Sequence, residues 1–219
     1  MRPRPRLPLR ARPNRAPRPT TTPTQARENS RRRLRTGPVN PAWLGDDPGM
    51  EIRRLTLADA PAYRGLRLRG LGDHPEAFTS SWEEDDAQPL AATEARLASP
   101  QQLLWGAFDD GALCGIVGLE LLRRAKERHK AKVVGMYVPA GMAGRGTGGA
   151  LLRALLAHAR QAGLSDLVLT VTDSNVAALR LYRNAGFEAF GTEPRAIRVD
   201  GRAFGKVHMH LALTPDSPA

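Results

Sequence analysis

Five glycines fall within nine positions near the middle of this 219-residue chain, and no regular helix or strand tolerates so many. They are Gly141, Gly144, Gly146, Gly148 and Gly149. Before them, Val133–Val138 is a short apolar run rich in β-branched and aromatic residues, which is typical of a strand. After them, the leucines in Leu151–Leu156 recur at helical spacing. The pattern therefore predicts a strand, a glycine-rich loop and the start of a helix.

A loop of this kind can bind an anion through its backbone. The first N–H groups of a helix have no intrahelical partner, and the helix dipole adds partial positive charge at the same point. Few side chains separate Gly144 from Gly149, so a phosphate can approach the backbone directly. We therefore expect an anion-binding loop, with a pyrophosphate as its ligand.

The composition changes near residue 50. Residues 1–49 contain 12 arginines, 10 prolines and three acidic residues, whereas residues 50–219 contain 21 basic and 19 acidic residues. The first segment has too little apolar surface to offset the chain entropy lost on folding. We expect a disordered basic, Arg/Pro-rich tail at 1–49, one folded domain at 50–213 and a short C-terminal tail at 214–219.

The basic tail has three alternative functions besides disorder. Arg31–Arg33 precedes no apolar stretch, which a twin-arginine export signal requires, and the prolines oppose the amphipathic helix of a mitochondrial transit peptide. Phosphate contacts by its arginines remain an alternative and would make it a nucleic-acid-binding arm. The simpler interpretation is that Met50 is the effective start of the protein.

Cysteine content and hydropathy exclude further classes. Cys114 is the single cysteine, so an internal disulfide is excluded, and its place in the apolar run Leu113–Leu119 predicts buried packing. No apolar run approaches the roughly 20 residues that cross a bilayer. We expect a cytoplasmic protein.

From Met50 onward the elements follow the order β-α-α-β-β-β-α-β-α-β-β, which predicts an α/β (α+β) fold with a mixed sheet. Asp110-Gly111 and Asp200-Gly201 each separate two apolar runs and predict hairpins. Ala77–Gln88 is predicted to be a polar, acidic loop. Arg123–Lys132 is predicted to be a basic, solvated hairpin loop.

Two nucleotide-binding motifs compete for the glycine loop. Gly144-x-Gly146-x-x-Gly149 fits the dinucleotide fingerprint, with Asp173 at a strand end about 20 residues on. However, five residues separate Val138 from the first of these glycines, and the chain lacks the further parallel β-α units of a doubly wound fold. A P-loop is excluded because no Lys-Ser or Lys-Thr follows Gly146.

A resemblance to a known family decides between these readings. The segment Val133–Phe187 resembles the core of the GNAT superfamily of N-acetyltransferases. Ala143–Gly148 matches the superfamily loop Arg/Gln-x-x-Gly-x-Gly/Ala, except that Ala143 replaces its first residue. The second motif, Asn-x-x-Ala-x-x-Leu-Tyr-x-x-x-Gly-Phe, is complete here as Asn175, Ala178, Leu181, Tyr182, Gly186 and Phe187.

The resemblance implies a GNAT-like, mostly antiparallel sheet with splayed central strands, flanked by helices and closed by a C-terminal β-hairpin. It also implies acetyl-CoA (coenzyme A) as the donor and a primary amine, on a small molecule or a peptide, as the acceptor. Coenzyme A would contact the strand edge, the glycine loop and the next helix start. The residues implied are Met136, Val138, Gly144, Arg145, Gly146, Thr147, Gly148, Gly149 and Asn175.

The resemblance also suggests catalytic residues. Tyr182 is the candidate acid for the departing thiolate, although it could equally be a core aromatic residue. Asn175 could equally be an ordinary helix N-cap. The general base is open: Glu120 and Glu83 are candidates, and each could instead be a surface carboxylate. The acidic run Glu83–Asp86 would favour a cationic acceptor, or could be a solvated loop.

The sequence also bears on metal binding, catalysis and partners. His208 and His210 share a strand face, but no third ligand is apparent, so we expect no metal. Ala143 and the missing base leave a non-catalytic acyl-CoA-binding domain as an alternative to the enzyme. We expect no membrane partner, no nucleic acid except through the tail, and a monomer or homodimer.

Overall fold

The computed structural model describes residues 49–213. The predicted tails at 1–49 and 214–219 therefore lie outside the described residues, except for Gly49. Within the described range the chain forms seven strands and five helices of at least one full turn. The strands are β1 (Met50–Arg54), β2 (Gln102–Asp109), β3 (Ala112–Leu121), β4 (Lys130–Tyr137), β5 (Asp166–Thr172), β6 (Glu188–Val199) and β7 (Arg202–Ala212). The helices are α1 (Ala60–Asp73), α2 (Trp82–Asp86), α3 (Leu90–Ala98), α4 (Thr147–Gln161) and α5 (Val176–Asn184).

All seven described strands form one sheet in the order β1-β2-β3-β4-β5-β7-β6. Neighbouring strands are antiparallel except for β4 and β5, which are parallel. This confirms the predicted mixed, mostly antiparallel sheet with flanking helices and a C-terminal hairpin. Both Asp-Gly turns are also confirmed: Asp110 and Asp200 have φ of 47°, and a glycine with positive φ follows each.

Helices cover the sheet on both faces. On one face α4 packs against β1, β2 and β3, and its buried leucines join strand residues such as Val117 and Leu167 in the larger core. On the other face α1 and α3 cover a smaller core that includes Tyr63, Leu104 and Tyr137. No helix in residues 49–213 is long and apolar enough to cross a membrane.

The start of α1 is fixed by local hydrogen bonds. The backbone N–H and the hydroxyl of Thr56 both donate to the carboxylate of Asp59, at 2.7 and 2.9 Å. Arg53 of β1 donates to both oxygens of the same carboxylate. Thr56 with Asp59 three residues later predicts a helix N-terminus, and the structure confirms it, with a 3₁₀ turn at Leu57–Asp59 preceding α1.

Two predicted loops were wrong in detail. The acidic segment Ala77–Gln88 contains α2, which begins with a capping box between Ser81 and Glu84. The basic connector is shorter than predicted because β4 begins at Lys130 rather than at Val133. Lys130 and Lys132 belong to that strand since their charged ends reach solvent while Ala131 between them is buried.

The last hairpin is more continuous than expected. The sequence predicts a strand that begins at Phe187–Gly191 and a separate run at Ala196–Val199, whereas the structure has one edge strand, β6, whose pairing with β7 shifts register twice. The second shift spans Pro194 and Arg195, and Arg195 has a φ of 57°. An edge strand tolerates a proline there because the missing N–H would otherwise have faced solvent or a bulge.

Candidate functional site

The central strands separate part of the way along their length. β4 and β5 pair only at Lys130–Lys132 and Asp166–Val168. Beyond this point β4 remains paired with β3, and β5 with β7, as far as Tyr137 and Thr172. From Val133 onward, within the described residues, no ladder joins β4 to β5, so one edge of each strand is open.

A bulge in β4 accompanies this separation. Its register against β3 shifts between Ile116 and Gly118, and Gly135 within the bulge has a φ of 62°. An extra residue on one strand bends it and increases its twist. Glycine adopts this left-handed conformation without the steric cost that a side chain would add.

A cavity of about 240 Å³ fills the gap. β4 contributes Val133–Met136, β5 contributes Thr170–Thr172, and α5 with the turn before it contributes Asn175, Ala178 and Tyr182. The other walls come from Arg67 of α1, Ala77–Thr79 and Lys206 of β7. Met136, Asn175 and Tyr182, which the sequence singled out, therefore line one space.

The glycine-rich loop leads into the start of α4. Gly144 and Gly146 have φ of 79° and 77°, and Gly146 is the N-cap of the helix. Gly146 and Gly149 line a second cavity, of about 120 Å³, together with Leu181 of α5. A Cβ on Gly148 would lie 3.3 Å from Leu181 Cδ2, so this glycine allows α4 and α5 to approach closely.

Two side chains of the loop differ in their surroundings. The guanidinium of Arg145 is bound by Asp109 at the end of β2, so its charge is already matched. Thr147 is buried, and its Oγ1 has no hydrogen-bond partner within residues 49–213. Val138 lies just after β4, and its Cγ2 is 4.0 Å from the position of a Cβ on Gly148.

Tyr182 is part of both the core and the cavity wall. Its ring packs edge-on against Phe187 with centroids 5.8 Å apart, and only 6% of the residue is exposed. No partner for its hydroxyl is found in the described part of the chain. Burial raises the pKa of the Tyr182 phenol above its ordinary value, so it stays protonated at neutral pH.

Asn175 caps α5, as its simpler interpretation predicted. Its Oδ1 accepts a hydrogen bond of 3.0 Å from the backbone N–H of Ala178. The Nδ2 group of the same side chain is not used in this cap, and Asn175 lines the cavity. The N-cap role and a role in ligand binding are therefore compatible.

The candidate bases are not in the cavity. Glu120 of β3 lies opposite Lys132, with its carboxylate 3.8 Å from the lysine Nζ, and neither residue lines the gap. Glu83 lines a separate groove of about 590 Å³ between α2 and the tip of the β6–β7 hairpin. Phe78 and Thr79 border both spaces, so the groove adjoins the cavity.

Most of the acidic run is used to hold α2 in place. Asp85 pairs with Arg67 at 2.9 Å, and Asp86 pairs with Arg64 at 3.2 Å. Glu84 accepts the backbone N–H of Ser81 in the capping box. Of the four carboxylates, Glu83 and Glu84 have no cation at ion-pair distance in the described structure, and Glu84 is used in the capping box.

Arg67 and Lys206 were missed by sequence reasoning. They are 139 positions apart, and a fold is needed to bring them to one cavity. Arg67 follows the helical pattern of α1 like its arginine neighbours, and Lys206 is one of several polar residues on the last strand. No local signal distinguishes them from surface residues.

The remaining candidates have ordinary surroundings. His208 contacts Glu193 at 3.2 Å, and His210 contacts Asp166 at 2.7 Å, so each histidine has its own carboxylate partner. Residues 49–213 contain no cluster of three or more metal-ligating side chains. Cys114 is buried as predicted, and its Sγ donates to the carbonyl of Ala107.

Comparisons with known proteins agree with this geometry. The sequence model described as the Acetyltransferase (GNAT) family matches residues 70–187. The chain is 40% identical over 118 residues to "N-alpha-acetyltransferase RimI" of Mycobacterium tuberculosis, covering 53% of this chain and 72% of that protein. It is 36% identical over 171 residues to "L-methionine sulfoximine/L-methionine sulfone acetyltransferase" of Pseudomonas aeruginosa, covering 77% and 97%.

Solved structures show the same fold. The Salmonella typhimurium protein yncA, solved with acetyl-CoA, aligns with a TM-score of 0.65 at 24% identity and covers 78% of this chain and 97% of its own. A GNAT-family acetyltransferase from Streptococcus pneumoniae aligns with a TM-score of 0.64 at 23% identity, covering 74% and 99%.

Proposed function

This chain belongs to the acetyltransferase (GNAT) family, and we propose that it moves the acetyl group of acetyl-CoA directly to the primary amine of a small molecule. The observation that carries the proposal is the separation of β4 from β5 above a cavity lined by Tyr182 and Asn175. An open strand edge, a helix N-terminus and a phenol meet there. The catalytic unit is proposed to be residues 50–213, with the protein acting in the cytoplasm.

The residues present fit coenzyme A. The open edge of β4 at Met136, together with Val138 just after the strand, can pair with the amides of the pantetheine arm, as an added strand would. The backbone N–H groups of Gly144–Gly149 can bind the pyrophosphate at the N-terminus of α4.

The acetyl group enters from the thioester, and the chain supplies the surroundings for its transfer. The amine nitrogen bonds to the carbonyl carbon while the carbon–sulfur bond breaks, the nitrogen loses one proton and the sulfur takes one. A backbone N–H on the open edge of β4 can stabilise charge on the carbonyl oxygen. Asn175 Nδ2 can hold the cofactor arm from the start of α5.

Tyr182 is proposed to donate a hydrogen bond to the leaving sulfur. Its raised pKa keeps the proton on the phenol, since ionisation would place a charge in a buried site. The hydrogen bond would strengthen as negative charge builds on sulfur, which favours the transition state over the bound reactants. The edge-on contact with Phe187 fixes the ring for this role.

Two carboxylates are proposed for removing a proton from the amine. Glu83 borders the groove that adjoins the cavity, whereas Glu120 pairs with Lys132 away from it. Glu83 is therefore the better placed of the two proposed bases, acting through water. The groove between α2 and the β6–β7 hairpin is the proposed route for the acceptor.

The two relatives reported above are named for different kinds of acceptor. The Pseudomonas enzyme, named for two small amino acids, is matched over nearly its whole length, whereas RimI is matched over 72% of its length. We therefore propose a small-molecule amine, with a protein N-terminus as the second candidate. Family membership favours an enzyme over the non-catalytic acyl-CoA-binding alternative.

The test is thiol release from acetyl-CoA in the presence of a panel of amines, with mass spectrometry of the products. The panel should include amino acids, simple alkylamines and short peptides with free N-termini. The proposal predicts acceptors gaining one acetyl group for each thiol released. Coenzyme A binding without any acetylated amine would contradict it and would favour a sensing domain.

A further inference from the structure

Two basic side chains line the cavity between β4 and β5. Arg67 comes from α1 and Lys206 from β7, and both are largely buried, with Lys206 only 7% exposed. The cavity walls in the described structure include no aspartate or glutamate. The space where the acceptor amine must react therefore has basic side chains and no carboxylate in its walls.

One short segment holds both cations in place. Thr79 Oγ1 accepts a hydrogen bond of 3.1 Å from Lys206 Nζ, and Ser80 Oγ accepts one of 2.7 Å from Arg67 Nη2. The guanidinium also lies 4.6 Å from the ring centroid of Phe78. Residues 78–80 thus hold Arg67 of α1 and Lys206 of β7 at the same cavity.

The charge of Arg67 is only partly available to a ligand. Its Nε is bound to Asp85 at 2.9 Å and its Nη2 to Ser80. Its Nη1 has no hydrogen bond within residues 49–213 and lies 3.9 Å from the position of a Cβ on Gly135. This nitrogen therefore faces the bulge of β4, at the open edge.

Lys206 has no carboxylate at ion-pair distance in the described part of the chain. Glu193 lies opposite it on β6, but the Glu193 carboxylate contacts His208 at 3.2 Å. Burying an ammonium is costly, and burial lowers the pKa of Lys206 by more than the charge of Glu193 raises it. A bound anion would offset this cost by stabilising the charged form.

From these contacts we propose that the acceptor carries an anionic group beside its amine, in the simplest case a carboxylate, and that Lys206 binds it with help from Arg67. The proposal rests on the proposed acetyl transfer. It reverses the expectation of a cationic acceptor from the acidic run, because three of those four carboxylates hold α2. A peptide N-terminus, whose carboxyl is an amide, would lack this contact.

The test compares acceptors that differ only in the carboxylate. L-methionine sulfone is paired with 3-(methylsulfonyl)propan-1-amine, L-tryptophan with tryptamine and L-phenylalanine with phenethylamine. Wild-type protein should favour the carboxylate member of at least one pair by about 10- to 100-fold in kcat/KM, the usual effect of a hydrogen bond to a charged group. Equal rates, or faster acetylation of the simple amines, would overturn the proposal while leaving acetyl transfer intact.

The variant Lys206→Met keeps the length and apolar stem of the side chain. It should raise KM for the carboxylate acceptor by about 10-fold or more, with kcat little changed and the simple amine unaffected. Lys126→Met, in the exposed connector before β4, should alter none of these values. If Lys206→Met instead lowers kcat equally for both members of a pair, the lysine acts on the amine and the proposal fails.

Binding gives a readout that does not depend on turnover. With coenzyme A present, N-acetyl-L-methionine sulfone should raise the melting temperature of the wild type more than the acetamide of its decarboxylated partner. Lys206→Met should lose that difference. If this variant does not fold, Lys206→Arg serves instead, and because it keeps a cation it should retain the difference. If wild type acetylates no amine at all, the proposed function fails and this inference fails with it.

Discussion

The guanidinium of Arg145 forms a bidentate ion pair with the carboxylate of Asp109, with Nη1 at 2.7 Å and Nη2 at 3.1 Å from its two oxygens. Asp109 ends β2, so the pair fastens the glycine-rich loop to the sheet. Arg145 Nη1 is also 3.3 Å from Met142 Sδ. The family resemblance implies that Arg145 contacts coenzyme A, and its contacts with Asp109 and Met142 show that it also shapes the loop.

Asp109→Asn should therefore weaken acetyl-CoA binding by a few fold without abolishing it. Both side chains are about one-third exposed, so the loss in unfolding free energy should be about 1 kcal/mol or less. Calorimetric titration with acetyl-CoA measures the affinity. Asp110→Asn is the control, because Asp110 lies in the neighbouring turn with a φ of 47°, which asparagine tolerates. Equal affinities for wild type and Asp109→Asn would show that the ion pair does not contribute to acetyl-CoA binding.

Gly146→Val should reduce acetyl-CoA affinity by at least 10-fold, since its side chain would stand where a phosphate must approach the N-terminus of α4. A valine at a φ of 77° also strains the backbone by about 1–2 kcal/mol. Gly163→Val separates the two effects, because Gly163 has a φ of 72° after the other end of α4. Both variants should lose stability, and only Gly146→Val should lose affinity.

Acid stability should depend on Asp59. Hydrogen bonds from Arg53, together with those from Thr56, hold the pKa of the Asp59 carboxyl well below its usual range. A group whose pKa is depressed on folding stabilises the protein above its unfolded pKa and loses that contribution as pH falls through the folded pKa. The contribution should thus be complete at pH 7 and decline below about pH 4.

Urea unfolding across pH 2–7 measures this effect. Asp59→Asn should lower the free energy of unfolding at pH 7 by about 1.5–3 kcal/mol and flatten its decline in acid. Glu51→Gln removes a second carboxylate that lies 3.6 Å from Arg53 but is mostly exposed, and it should change little. A variant Asp59→Asn that keeps the wild-type acid slope would show that other groups control acid stability.

Local chemistry explains which parts of the fold could be predicted. The Asp-Gly turns and the Thr56–Asp59 start of α1 depend on neighbouring residues, and the structure confirms them. The short helix α2 was missed although Ser81 and Glu84 have the spacing of a capping box. An acidic segment of five residues forms a helix there because arginines of α1 bind Asp85 and Asp86.

The residues of the site likewise divide into those that local sequence predicts and those that it does not. Some parts of the site belong to contiguous sequence motifs and could be predicted: the glycine-rich loop, Asn175 and Tyr182. Arg67 and Lys206 meet through residues 78–80, so their common position depends on packing between distant elements. The length over which β4 and β5 pair is likewise a property of the whole sheet.

A protein shortened to begin at Met50 should keep its melting temperature and its acetyl-transfer rate. The fold described from Gly49 onward has its own two cores, and β1 begins at Met50. Thermal unfolding and steady-state rates of the full-length and shortened proteins make the comparison. A large loss of either property would move the domain boundary toward the N-terminus.

Tyr137→Phe provides the control for the catalytic tyrosine. Tyr137 is also a buried tyrosine, but its hydroxyl donates to Asp73 at 2.5 Å, and burial together with this carboxylate raises the pKa of Tyr137 to about 12. Removing that hydroxyl should lower the unfolding free energy by about 1 kcal/mol. It should leave kcat within a few fold, since Tyr137 does not line the cavity between β4 and β5.

Steady-state kinetics of Tyr182→Phe test most directly the claim that the gap between β4 and β5 is where the acetyl group is transferred. The ring contact with Phe187 should survive, so acetyl-CoA affinity and melting temperature should stay close to wild type. With a saturating acceptor, kcat should fall by about 10²-fold, the usual contribution of a positioned proton donor. A kcat equal to that of wild type would contradict the account and leave Tyr182 as a core aromatic residue.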